Sequence, residues 1–254
     1  MASYEVRKYL RGRRLLGMLI LLGLIVGLLI GLPPALGLSY ASEPNEFVST
    51  FAVFSGLLVI LGGVLFAADS LVSEHEKRTG YFLFPNPVRR EVLVVGKLVA
   101  SLFTSAVIVS LYYAAATLAA LAVTGAITWE IGLSYLYSLA YMCAVVGLAY
   151  LFSASFKSTV AATVLTFFLF TLIFNIVQVV LGLASIDPWF LPSAASGIIG
   201  NVLSPSPGGF PGPGGGVVLS FVPEVATSLL VFAAYFVVAS VLAILVFRRR
   251  ELSS

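Results

Sequence analysis

Few residues in this chain are equipped for chemistry. The single histidine, His75, stands between Glu74 and Glu76. Three such side chains hold a divalent cation only if they converge. Neighbours on a helix point about 100° apart, so this triplet does not gather around one ion. Asn175 and Gln178 are three apart and therefore share one helix face. Their carboxamides can bond between helices, line a pathway or meet a second copy, but they cannot act as acid or base. The one cysteine, Cys143, has no partner for an intrachain disulfide or a multi-cysteine zinc site, and reads as a small hydrophobe. Gly96-Lys97 lacks the upstream glycine and the following Ser or Thr of a phosphate-binding loop. Nucleophile-elbow and His-Glu-x-x-His patterns are absent. The reading is of no catalytic residue, no metal, no bound cofactor and no ATP site: not an enzyme.

The elements that position these groups are membrane spans. The chain has 254 residues, 60% hydrophobic and only 10% charged, where a soluble domain carries about 25% charged residues. So little charge cannot cover a surface that faces water. About 20 apolar residues in a helix cross the hydrocarbon core, and six segments qualify: Leu15–Leu36, Phe47–Ala68, Leu98–Val123, Ile131–Phe152, Thr159–Ala184 and Val225–Phe247. None contains Lys, Arg, Asp, Glu or His, which argues against a proton-coupled carrier or an intramembrane enzyme. Period-two alternation is missing, so a transmembrane barrel is not expected. The first apolar run exceeds the roughly 7–15 residues of a signal-peptide core and reads as a span.

Orientation follows from the basic residues. All 14 lie before the first span (Arg7, Lys8, Arg11, Arg13, Arg14), between the second and third (Lys77, Arg78, Arg89, Arg90, Lys97), between the fourth and fifth (Lys157), or after the last (Arg248, Arg249, Arg250). The other connections hold only Glu43, Glu46, Glu130, Asp187 and Glu224. The positive-inside rule then predicts an all-α membrane protein with both termini cytoplasmic, in the cell membrane. It reads as one domain over 1–254, with residues 1–14 as an interfacial helix.

Two connections stand out. The cytoplasmic loop, 69–97, holds nine of the chain's 25 acidic and basic residues. Ser70–Thr79 is expected to continue the second helix, with Glu74 and Arg78 in the favourable order. Gly80 stops it, Pro85 and Pro87 force an extended piece, and Asn86 with Pro87 starts a helix that runs through Arg90 into the third span. This makes a short charged projection suited to docking. The outer loop, 185–224, contains a Gly/Pro-rich stretch at 204–216 that reads as a linker. Upstream of it, Asp187-Pro188 is the expected start of short outer helices carrying Trp189, Phe190, Ile198 and Ile199 at the interface. Tyr112, Tyr113, Tyr135, Tyr137 and Tyr141 fit interfacial belts or packing.

The run from Glu74 to Arg90 resembles the type-2 ABC transporter permease family. That family tends to show Glu-x-Glu-x-Gly-Thr, a short apolar run, Pro-Val-Ser-Arg, and Gly-Lys opening the third span. Glu74, Glu76, Thr79, Pro87, Val88, Arg90, Gly96 and Lys97 fall on the pattern. Arg78 replaces the usual Gly, Gly80 follows the Thr, and Arg89 replaces the Ser. Gly147–Ser158 is similar to the family's junction between fourth and fifth spans. The nearest flavour is the permease group linked to nitrous oxide reductase maturation.

The resemblance implies a transport subunit that works as a homodimer, or as a pseudo-dimer with a related permease. Two cytoplasmic ABC ATPase subunits beneath it would hold ATP and Mg²⁺. The 69–97 loop would be the coupling element. Glu74, Glu76, Thr79, Gly80, Phe82, Phe84, Pro87 and Arg90 would meet the ATPase: charges set partner choice and docking rate, and the two phenylalanines supply affinity. Export is the implied direction, with the lipid bilayer as surroundings and no nucleic acid. The alternative is a membrane-embedded assembly or maturation factor that docks soluble partners without transport.

Overall fold

The computed structural model describes residues 9, 12–68, 70–72, 90–204 and 222–251. Among these the chain is all-helical, and six helices are long and apolar enough to cross a membrane, the architecture of a multi-pass membrane protein. In chain order they are α1 (Arg13–Ala35), α2 (Pro44–Ala68), α3 (Arg90–Thr124), α4 (Trp129–Ser155), α5 (Thr159–Leu183) and α8 (Val225–Glu251). Two single-turn helices, α6 (Pro192–Ala195) and α7 (Ile198–Asn201), stand between α5 and α8. The six expected spans match within a few residues. Arg14, Lys97 and Lys157 mark one end of the bundle, hereafter the basic end; the connections without Lys or Arg mark the far end.

Local chemistry sets the helix ends. Pro33 and Pro34 lie in the last turn of α1. Pro34 has no N–H to give the Ile30 carbonyl, its α-helical acceptor. The Tyr40 hydroxyl donates to that carbonyl instead. Gly125 adopts φ +73°, which stops α3 at the far end.

The core is built around α4. It packs on α2, α3 and α7 and most extensively on α8, while α1 rests on α2 and α3. Glycines allow two close crossings. A Cβ on Gly147 would lie 3.0 Å from the Phe236 Cα of α8, and one on Gly63 would lie 2.6 Å from the Val145 Cγ1. In their most apolar stretch, 67% of α2 residues are buried against 11% in α5, so α5 is the most peripheral span.

Of the two readings of the tyrosines, packing holds for Tyr112, Tyr113 and Tyr141: they are buried inside the bundle, where hydroxyl partners or aromatic neighbours await them. Other expectations change. The short helices begin at Pro192, not after Asp187. Pro188 instead heads a turn whose carbonyl accepts the Leu191 N–H at 2.9 Å, and Leu191 caps α6. Of the residues expected at the interface, Trp189 and Phe190 are exposed, but Ile198 and Ile199 are buried against the bundle. Finally, α2 does not run straight through Ser70. Its last turn, Gly63–Ala68, is π-helical, and a turn follows at Ser70–Leu71.

Candidate functional site

Glu74, Glu76, Thr79, Gly80, Phe82, Phe84 and Pro87 lie outside the described residues, as do His75 and the 205–221 stretch. Arg90 is the first residue of α3, which runs unbroken into the membrane as expected. What the structure does describe is the root from which the 73–89 segment departs.

That root is held by its backbone. A π-turn bonds each N–H five residues back rather than four, so some carbonyls need partners from elsewhere. The Arg14 guanidinium of α1 donates to the Leu65 carbonyl at 3.3 Å. The Ser101 hydroxyl of α3 donates to the Phe66 carbonyl at 2.7 Å. Beyond the turn, the Lys97 ammonium of α3 donates to the Ser70 carbonyl at 2.9 Å. The Leu71 and Val72 amides donate to the Ser153 Oγ of α4 at 2.9 and 3.3 Å. Tyr150 of α4 donates to the Val94 carbonyl at 2.5 Å, tying α4 to α3 at the same level. Tyr9 packs edge-on against Phe66, with ring centroids 5.6 Å apart. Three spans thus hold one short stretch, residues 65–72, through main-chain atoms.

Lys97 is 2% exposed. As a sequence feature it reads as one more positive-inside charge, and that reading misses its place in the bundle. The signal was present: Val94, Lys97, Ser101, Thr104 and Ile108 recur at three- and four-residue spacing on one buried stripe of α3.

A second polar cluster lies towards the far end. The Tyr113 hydroxyl is 2.9 Å from Ser134 Oγ and 2.8 Å from Ser138 Oγ. Ser134 donates its only proton to the Ile199 carbonyl of α7 at 2.7 Å. Tyr113 must therefore donate to Ser134, and Ser138 to Tyr113. The resulting chain runs Ser138 to Tyr113 to Ser134 to Ile199, linking α3 and α4 to α7. Nearby, Tyr112 donates to the Phe51 carbonyl of α2 at 2.8 Å. At membrane depth no water competes for these groups, so pairing is what makes their burial tolerable.

Asn175 and Gln178 lie on α5 and differ in what they do. The π-turn Leu169–Ile173 sends the Phe174 N–H to the Leu169 carbonyl, leaving the Phe170 carbonyl without an α-helical donor. Asn175 Nδ2 donates to the Phe170 and Thr171 carbonyls, both at 3.0 Å. It serves its own helix. The Gln178 carboxamide makes no hydrogen bond among the described residues and the residue is half-buried.

No curated protein matches the chain. A model of a protein family of unknown function covers residues 16–253, nearly the whole length, and the chain belongs to that family, DUF2705.

Proposed function

We propose that this chain is the membrane-spanning permease subunit of an ATP-binding cassette transporter in the cell membrane. It moves its cargo outward on ATP hydrolysed by a separate cytoplasmic subunit. The basic end faces the cytoplasm, with both termini, and residues 69–97 form the coupling loop. The observation that carries this reading is the grip on residues 65–72. A loop that converts ATPase closure into span movement needs a root that cannot yield, and this root is fixed to α1, α3 and α4 at once. The Glu74–Arg90 motif supplies the docking chemistry beyond it.

Two copies pair in the working transporter. The peripheral α5 is the contact in this reading, because Gln178 presents donors and an acceptor that a second copy can satisfy. A Gln178→Cys variant that forms oxidative dimers in membranes supports that contact, and one that stays monomeric removes it.

The test of the whole reading is copurification from native membranes followed by an ATP hydrolysis assay. Recovery of a soluble ATPase, with hydrolysis lost in Glu76→Arg and membrane insertion kept, supports the permease. A clean preparation without an ATPase moves the assignment to an assembly factor.

A further inference from the structure

Between α3 and α4, towards the far end, lies a groove of about 460 Å³ lined by Ser110, Tyr113, Thr117, Trp129, Gly132 and Tyr135 among others. That volume is within the range of small-molecule sites, about 300–1,000 Å³. The groove opens sideways, because its flanking positions Ala114 and Gly132 are small and exposed. At the 1.5 Å rise of an α-helix, Ser110 lies about 20 Å below Thr124, near the middle of the span. The groove therefore runs from the far membrane surface, where Trp129 is exposed, down to mid-bilayer.

The hydroxyls on its wall have a common feature. Ser110 donates to the Ala106 carbonyl at 2.7 Å, so in the 2.7 Å contact between Ser110 and Tyr135 the donor is Tyr135. Thr117 donates to the Tyr113 carbonyl at 2.7 Å. Thr128 donates to Asn45 Oδ1. Tyr113 donates to Ser134, as derived above. Every one of these hydroxyl protons is used inside the protein; the Trp129 indole N–H is a donor at the far-surface mouth, and what the deeper wall offers is oxygen lone pairs, chiefly on Tyr135 and Thr117. An acceptor in hydrocarbon is matched only by a donor that arrives with the occupant.

We propose that this groove binds a membrane lipid bearing a hydroxyl, which enters laterally from the bilayer. The hydrocarbon body lies between α3 and α4, and the hydroxyl donates to Tyr135. Lipids without such a donor fill the same space but leave the Tyr135 oxygen unmatched. The site does not depend on the ATPase partnership, and neither does its test.

The test reconstitutes the full chain in phosphatidylcholine vesicles with a diazirine-bearing long-chain alcohol, and in parallel with the methyl ether of the same probe. Light-induced labelling is mapped by peptide mass. Expected is labelling at 110–117 and 129–135, with the alcohol about fivefold ahead of the ether. Tyr135→Phe should bring the alcohol down to the ether's level while keeping the labelled positions. Gly132→Leu should remove both signals at these positions, since a Cβ on Gly132 meets nothing within 4 Å and the larger side chain fills the groove without disturbing the helices. Equal labelling by alcohol and ether in the wild type overturns the proposal. So does labelling that spreads evenly over the lipid-facing helices and ignores Gly132→Leu.

Discussion

The Lys97 ammonium reaches back to the Ser70 carbonyl across 2.9 Å, closing α3 onto the turn that follows α2. Main-chain oxygen is the acceptor, so the contact survives substitution at position 70. Lys97→Met keeps most of the apolar stem and removes the donor. It should lower stability by about 1.5–3 kcal/mol, the range for hydrogen bonds to charged groups. Equilibrium unfolding in mixed micelles measures this, and a wild-type value would show that the closure carries no stability.

Ser153 takes two amides at once, those of Leu71 and Val72. In Ser153→Ala both lose this hydroxyl in a buried place, at a cost of about 1–3 kcal/mol. Hydrogen exchange at these amides should accelerate by roughly tenfold to a hundredfold. Unchanged protection there would mean that another acceptor replaces the hydroxyl.

The crossing of α4 and α8 rests on the missing side chain of Gly147. Gly147→Ala puts a methyl 3.0 Å from the Phe236 Cα and 3.2 Å from its carbonyl oxygen. Backbone cannot swing aside as a side chain can, so the helices part and stability falls by about 1–3 kcal/mol. Gly132→Ala, in open space on the same helix, is the control and should stay within about 0.5 kcal/mol of wild type. Similar losses in the two variants would count against the close crossing as the cause.

The direction of the Ser138–Tyr113–Ser134–Ile199 chain has a consequence of its own. Ser134→Ala leaves the Ile199 carbonyl without its donor, whereas Tyr113→Phe leaves the bond from Ser134 to Ile199 intact. Exchange of the 192–204 amides should rise in Ser134→Ala and stay near wild type in Tyr113→Phe. The opposite order would reverse the donor assignment.

Length, hydropathy and charge placement made the spans legible, because a bilayer leaves few alternatives: about 20 apolar residues in a helix, with the charges outside it. The unbroken run from Arg90 into α3 was legible for the same reason. The π-turns were not, since periodicity does not distinguish four-residue from five-residue bonding over a single turn. Asn175 showed its face but not its task, because the carbonyl it serves is orphaned only by that irregular turn. Lys97 was read by its charge when its helical phase was the better guide. Ile198 and Ile199 looked interfacial because their contacts come from helices far away in sequence.

The hub position of α4 also bears on biogenesis. It is the least hydropathic of the six spans, at a mean of 1.7 against 2.1 to 2.9 for the others. Its serines and tyrosines find partners on α3 and on the turn after α2, made earlier, and on α7, made later. Its largest contact, α8, leaves the ribosome after the other five spans. A nascent chain that ends after Ser155 therefore holds its central helix with half of its neighbours absent. Such a chain should remain extractable from membranes, and one extended through Phe247 should not. The last of these six spans to be synthesised is then the one that commits the middle of the bundle to the membrane.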